Sequence, residues 1–142
     1  MAKYRAKLPQ LSSDTFITDG GLETWLIFNE GFDLPEFAAF TLLEGDAGRT
    51  ALKNYYRKYL AIASQNKLAI ILESPTWRAS EKWAARLGYS EAALQTLNQQ
   101  AVTLLASLRD EFESENPSIP CVISACIGPK GDGYVVGEKM PI

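Results

Sequence analysis

The sequence has no histidine and only two cysteines, Cys121 and Cys126, among its 142 residues. Without histidine the chain cannot form a Ser-His-Asp or Cys-His catalytic unit, nor a metal site with a histidine ligand. Two cysteines are too few for a disulfide framework. If both lay on one strand, their separation of five residues would direct them to opposite faces, so they would neither bridge nor share a metal. We predict that Cys121 is a buried core residue.

Long apolar runs and an excess of positive charge are also missing. The longest aliphatic run, Leu68–Leu72, is too short to span a bilayer. The segment Met1–Thr15 has basic residues but lacks the apolar stretch of a signal peptide. The net charge of -3 gives no reason to expect nucleic acid or an anionic membrane as a partner. We therefore expect a cytoplasmic protein that binds neither nucleic acid nor membranes.

The composition is that of one globular domain, with 46% apolar and 22% charged residues. The apolar pattern predicts strands at Thr15–Thr18, Leu68–Leu72 and Cys121–Ala125. Helical periodicity predicts helices that begin at the N-caps Asp46, Ser80 and Ser90 and end near Gln65, Leu87 and Asn116. The segment Leu22–Gly45 is predicted as a long ordered loop. Strands alternating with helices in this order favour an α/β fold with a parallel sheet.

A polar or glycine-bearing cluster follows each predicted strand, at Asp19–Gly21, Glu73–Arg78 and Cys126–Pro129. Because the carboxyl ends of parallel strands line the ligand site in α/β proteins, we expect the clusters to line one pocket. Asp19, beside two glycines that let a ligand approach the backbone, suits a cationic group such as a substrate amine. The alternative is an Asx-turn aspartate with turn glycines.

The second cluster places a carboxylate, hydroxyls, a large aromatic ring and a guanidinium on one loop. One interpretation is a pocket rim in which Trp77 packs on the ligand. The other is a structural turn, with Trp77 in the core and Arg78 in solvent. The sequence leaves both open.

The third cluster continues into the glycine-rich loop Gly128–Gly133. This loop lacks the Gly-Lys-Ser/Thr that opens the helix of a P-loop, which disfavours phosphate binding of that kind. An independent small α/β domain that binds an anionic ligand at this loop is a remaining alternative.

Four segments, read together, resemble the homocysteine S-methyltransferase family, which includes betaine–homocysteine methyltransferase. They are Thr18–Thr24, Glu73–Ser80, Leu97–Asn98 and Ser124–Tyr134. The resemblance implies a (β/α)8 TIM barrel in which zinc, held by cysteine thiolates, keeps the homocysteine sulfur as a thiolate. The thiolate is the nucleophile, and its attack on the methyl group of a sulfonium, ammonium or corrinoid donor gives methionine.

The same resemblance implies a substrate-binding set. Its members are Asp19, Gly20, Gly21, Glu73, Thr76, Trp77, Arg78 and Gly128. Asp19 and the two glycines after it would hold the amino acid end of homocysteine. The residues from Thr76 to Arg78 would line the pocket near the methyl donor, and Gly128 would shape its floor. No catalytic residue and no metal ligand is assigned in this chain.

A complete barrel needs about 250 residues, so residues 1–142 are interpreted as its N-terminal part, with three parallel strands and their helices. The zinc-binding cysteines of the family lie in later strands and Cys126 matches none of them. Zinc is therefore expected for the full-length family, with its ligands absent from this chain. Homocysteine and a methyl donor are the expected small-molecule substrates, but we expect no methyl transfer by this chain alone.

The sheet edges raise a separate expectation about assembly. Three parallel strands would leave two bare edges and an uncovered apolar face, which predicts a homo-oligomer. The alternative to an enzyme is a non-catalytic half-barrel that acts as a binding or self-assembly module.

Overall fold

The computed structural model describes residues 3–4, 6–129 and 131–135. One parallel sheet has the strand order β1-β2-β3, with β1 at Phe16–Thr18, β2 at Ala69–Glu73 and β3 at Cys121–Ser124. In register, Ile17 lies opposite Ile70, and Ile71 lies opposite Val122. The predicted strands, their parallel pairing and the α/β class are confirmed, and the sheet is consistent with part of a barrel.

Helices connect consecutive strands of this sheet, as predicted. They are α1 (Leu22–Phe28), α2 (Asp46–Asn66), α3 (Glu81–Arg86) and α4 (Glu91–Glu115), with short 3-10 helices at Pro9–Leu11, Pro35–Phe37 and Ala39–Glu44. The long helices α2 and α4 form because their apolar residues recur every three or four positions and bury one stripe. Lys67 is the C-cap of helix α2 and has a left-handed backbone conformation (φ 54°). Its N–H donates to the carbonyls of Ala63 and Ser64.

The prediction of a loop over Leu22–Gly45 is wrong, because the segment contains α1 and two of the 3-10 helices. Helix α1 buries Leu22 and Leu26, which are spaced by one helical turn. Its N-cap is Gly21, which has no side chain to signal a helix start. Folded in this way, the segment buries Leu22, Leu26, Leu34, Phe40 and Leu43, whereas Phe28 and Phe37 stay exposed.

The predicted N-caps differ in outcome. The Ser90 hydroxyl accepts a hydrogen bond from the N–H of Ala93 at 3.2 Å, so this cap of α4 is confirmed. Ser80 precedes α3, but its side chain makes no capping bond. Asp46 is the first residue of α2 and not its cap, a place where a carboxylate interacts favourably with the helix dipole.

The core lies between the sheet and the helices α2 and α4. It includes Tyr55 and Tyr56 of α2, Leu105 and Leu108 of α4, and Ile70 of β2, all essentially inaccessible to solvent. Cys121 is fully buried, as predicted, and both cysteines are free thiols. Across the described residues, no helix combines the length and apolarity needed to cross a membrane.

Candidate functional site

The loops that follow the three strands meet at the carboxyl edge of the sheet. There they line a depression of about 170 Å³ whose walls include Asp19, Gly20, Gly21, Glu23, Glu73 and Trp77; we call it the acidic pocket. A second depression of about 310 Å³, here the adjoining groove, includes Thr76, Trp77 and Gly128 in its lining. Trp77 lines both. The structure thus brings together seven of the eight residues predicted for the site, and Arg78 lines neither depression.

Asp19 links the ends of the first two strands while it faces the acidic pocket. Its Oδ1 accepts a hydrogen bond from the N–H of Glu73 at 2.9 Å, and its Oδ2 accepts one from the Tyr55 hydroxyl at 3.4 Å. Burial raises the pKa of Asp19, and the negative charge of Glu73 adds to the increase. The carboxylate therefore has a structural role and also lacks a cationic partner among the residues that line the pocket.

The two glycines after Asp19 differ in what requires them. A Cβ on Gly20 would lie 2.5 Å from the hydroxyl oxygen of Tyr59, so a tyrosine of α2 occupies the space beside this residue. The N–H of Gly20 donates to the hydroxyl of Tyr55 at 3.0 Å. Gly21 has no comparably close neighbour and serves as the N-cap of α1. Gly20 thus allows close packing of α2 against the turn, whereas Gly21 does not face α2 closely.

A chain of hydroxyls joins the loops after β2 and β3. The Ser74 hydroxyl accepts from the N–H of Cys126 at 3.0 Å, and the Thr76 hydroxyl donates to the Cys126 carbonyl at 2.8 Å. The two hydroxyl oxygens are 2.7 Å apart. Thr76 therefore fixes the third strand's loop against the second, besides lining the adjoining groove.

Trp77 and Arg78 occupy different environments. Trp77 is half-buried, with its ring between the two depressions. Arg78 is only 3% exposed, and its guanidinium carbon lies 4.2 Å from the ring centroid of Trp77 and 3.7 Å from that of Trp83. Its Nη2 donates to Asp132 at 3.3 Å. The interpretation of this loop as a structural turn placed Trp77 in the core and Arg78 in solvent. It is therefore wrong for Arg78, which is buried, and Trp77 is only partly buried.

Gly128 is required by the approach of the loop to Trp77. A Cβ at this position would lie 2.0 Å from the backbone carbonyl oxygen of Trp77. Beyond it, the ring of Tyr134 meets the Trp77 ring edge-on, with centroids 5.9 Å apart. Lys130, which prompted the phosphate alternative, lies outside the described residues. The described part of this loop thus packs against Trp77.

The family assignment rests on a comparison that spans these same residues. The family model described as homocysteine S-methyltransferase matches residues 16–140. The chain belongs to the homocysteine S-methyltransferase family. No curated protein and no solved structure gives a significant match. Membership of this family confirms the resemblance and implies small-molecule substrates.

Glu23 also lines the acidic pocket, although it is not among the residues that the sequence predicts for the site. It lies in the first turn of α1 and lines the acidic pocket. Burial raises its pKa, and the charges of Glu73 and Asp19 raise it further. Its position four residues after Asp19 was visible in the sequence, but a segment taken as a loop gave no reason to direct its side chain inward.

The described residues do not fit the zinc site expected of the full-length family. None of them form a group of three or more His, Cys, Asp or Glu side chains placed to hold a metal ion. Zinc binds the thiolate form of cysteine. Burial and the negative charge of Glu73 raise the pKa of the Cys126 thiol to about 11, so this cysteine is protonated at neutral pH. No step through a metal follows from these residues.

Proposed function

We propose that this chain carries the acceptor-binding part of a homocysteine S-methyltransferase, and that its sheet is the first three strands of a (β/α)8 barrel. In the proposed reaction the homocysteine sulfur forms a bond to the methyl carbon of a sulfonium or ammonium donor. The bond from that carbon to the donor heteroatom breaks, and its electron pair stays on the donor. The products are methionine and a neutral sulfide or amine.

The acidic pocket is the observation that carries this proposal. Asp19, Glu23 and Glu73 line it together, and among the described residues no lysine or arginine is part of its lining. Burial raises the pKa of both Asp19 and Glu23, so the hydrogen bonds to Asp19 and the charge of Arg78 near Glu23 do not fully offset the cost of burying these carboxylates. A ligand ammonium group placed among these carboxylates would supply the missing positive charge.

The size of the pocket limits what it can hold. Its volume of about 170 Å³ is below the roughly 300–1,000 Å³ of sites for drug-sized ligands. It can take one end of a small amino acid and leaves the rest of the ligand to the adjoining groove. This supports binding of the ammonium end of homocysteine beside Asp19, with the sulfur directed towards Trp77.

The chain on its own is expected to bind the acceptor without transferring a methyl group. A nucleophilic sulfur must be ionised, and the described residues include neither a zinc site nor a cationic side chain lining the acidic pocket to favour a thiolate. Turnover of S-methylmethionine and homocysteine by the pure chain would overturn this expectation.

Calorimetric titration tests the proposed binding. The purified chain should bind homocysteine and should not detectably bind 4-mercaptobutyrate, which lacks the ammonium group. Asp19→Asn and Glu23→Gln should each weaken homocysteine binding by about tenfold, the value of one charge-assisted hydrogen bond. Asp33→Asn, at an exposed aspartate outside both depressions, is the matched control. Equal binding of the two ligands would refute the ammonium site.

A second candidate, a non-catalytic binding or self-assembly module, is favoured by the sheet edges. Among the described residues, β1 and β3 each pair with β2 alone, so each strand has one edge free of strand partners. Such edges favour association with another chain. This candidate predicts a homo-oligomer at micromolar concentration in sedimentation velocity, and a monomer would count against it.

A further inference from the structure

The segment from Arg78 to Trp83 contains several buried hydrogen-bond donors that have no acceptor among the described residues. Four of its side-chain groups are inaccessible to solvent and have no hydrogen-bond partner among the described residues. They are Nε and Nη1 of Arg78, the hydroxyl of Ser80 and the indole Nε1 of Trp83. Burying a donor without an acceptor is unfavourable, and more so for a charged group, so such a concentration of donors requires an explanation.

Arg78 contacts Trp83 through its side chain and Ser80 through its backbone. Its guanidinium carbon lies 3.7 Å from the ring centroid of Trp83, and the N–H of Ser80 donates to the Arg78 carbonyl at 2.9 Å. The guanidinium of Arg86 lies 4.6 Å from the same ring and is ion-paired with Glu36. Three of the four unpartnered groups can only donate, and the serine hydroxyl can do so. The missing partner must therefore be an acceptor.

We propose that Arg78, Ser80 and Trp83 form a binding site for a small oxyanion, a carboxylate or a phosphate, separate from the acidic pocket. Oxyanions are the ligands that guanidinium and neutral N–H and O–H donors recognise together. The residues lie beside the adjoining groove, whose lining includes Ser80 and Trp77. If the proposed function holds, the carboxylate of the methyl donor is one source of the anion and free phosphate is the other.

Asp132 would act as the internal competitor for this site. Its carboxylate accepts from Arg78 Nη2 at 3.3 Å and from the N–H of Tyr134 at 3.0 Å. Asp132 is exposed while Arg78 is 3% exposed, so the loop that bears Asp132 covers the guanidinium. An anion that binds Arg78 must displace this carboxylate from Nη2 or bind at Nε and Nη1, which Asp132 does not contact. Removing its charge should therefore strengthen anion binding.

Tryptophan fluorescence gives a direct test, because Trp77 and Trp83 both contact the guanidinium. The purified chain is titrated without homocysteine at constant ionic strength, with acetate, propionate or inorganic phosphate against chloride. A saturable change with one of the carboxylates or with phosphate, and none with chloride, is expected. A preference for carboxylate or for phosphate identifies the source, and either supports the site. No saturable change with any of them overturns it.

Variants separate binding at this site from general effects. Arg78→Gln should raise the dissociation constant at least about tenfold, while Arg78→Lys should retain partial binding. Asp132→Asn should lower the dissociation constant, and it serves if Arg78→Gln fails to fold. Lys82→Gln replaces an exposed lysine of helix α3, the helix that contains Trp83, and should leave binding unchanged. Unchanged affinity in Arg78→Lys and in Asp132→Asn would overturn the proposal. Because homocysteine is absent, the result is independent of the ammonium-site test.

Discussion

The carboxylate of Asp19 accepts a hydrogen bond from the backbone N–H of Glu73, with 2.9 Å between Oδ1 and nitrogen. This bond joins the carboxyl ends of β1 and β2 across 54 residues of chain. Both residues line the acidic pocket, so the bond fixes two parts of its wall relative to each other. The same carboxylate is thus a strand connector and the proposed contact for a ligand ammonium group.

Substitution of Asp19 should separate these two roles. Asp19→Asn keeps an acceptor for the Glu73 N–H and removes the negative charge. Because burial raises the pKa of the Asp19 carboxyl group, the variant should be at least as stable as the wild type at neutral pH. Asp19→Ala should be less stable than Asp19→Asn by about 1–2 kcal/mol, since the acceptor is lost. Urea denaturation measures both, and equal stability of the two variants would contradict the connector role.

Glu23 should make the stability of the chain depend on pH. Burial first and then the charges of Glu73 and Asp19 raise its folded-state pKa. A group of this kind stabilises the fold fully below its unfolded-state pKa, and that contribution is lost as pH rises through the folded-state pKa. Glu23→Gln should therefore stabilise the chain at neutral pH and lose its advantage in acid. Thermal unfolding across this range tests it, and an advantage that grows on acidification would contradict it.

Cys126 should react slowly with alkylating reagents. Burial and the charge of Glu73 raise its pKa to about 11, so the thiolate fraction at neutral pH is small. Its reaction with iodoacetamide should accelerate about tenfold per pH unit from neutral pH to about pH 10. Glu73→Gln should increase the rate at neutral pH, because a negative neighbour is removed. Cys126→Ser should abolish the reaction, as Cys121 is fully buried. A rate independent of pH would disagree with this account.

Gly128 should not tolerate a side chain. Its Cβ would lie 2.0 Å from the Trp77 carbonyl oxygen, a backbone atom that can move only with the loop. Gly128→Ala should destabilise the chain by at least about 2 kcal/mol and shift the tryptophan emission. Gly131→Ala is the control, since none of the described residues has an atom within 4 Å of its Cβ position. Similar stability of the two variants would show that the loop adapts.

Glu113 should stabilise the amino end of β3. This nearly buried carboxylate accepts hydrogen bonds from the N–H of Cys121, from the Tyr4 hydroxyl and from the Lys3 ammonium group. Although burial opposes ionisation, these bonds lower its pKa, so its contribution is present above the unfolded-state pKa and is lost as pH falls through the folded-state pKa.

Glu113→Ala should therefore cost about 2 kcal/mol at neutral pH, and Tyr4→Phe should cost less, because the Cys121 N–H keeps its acceptor. Urea denaturation at neutral and acid pH measures the difference. A loss for Glu113→Ala that is equal at both pH values would argue against ionisation as the cause.

Local patterns explain why most of the fold was predictable. The apolar run of β2 and the three-to-four-residue repeats of α2 and α4 each bury a face that the sequence displays directly. Helix α1 was missed because it has seven residues and a glycine N-cap, so it offered neither a long repeat nor a capping side chain. The carboxyl-edge location of Asp19, Glu73 and Gly128 followed from their places after strands.

The sequence by itself determined the strands, the long helices and the family, because periodicity and short motifs are properties of neighbouring residues. Only the tertiary structure decided the partners across the fold. The bond of Asp19 to Glu73 and the ion pair of Arg78 with Asp132 each join residues 54 positions apart, on chain segments brought together in the folded structure. The sign and cause of the pKa changes at Glu23 and Cys126 were decided in the same way. Burial and electrostatic contact depend on distance in space, which spacing along the chain does not specify.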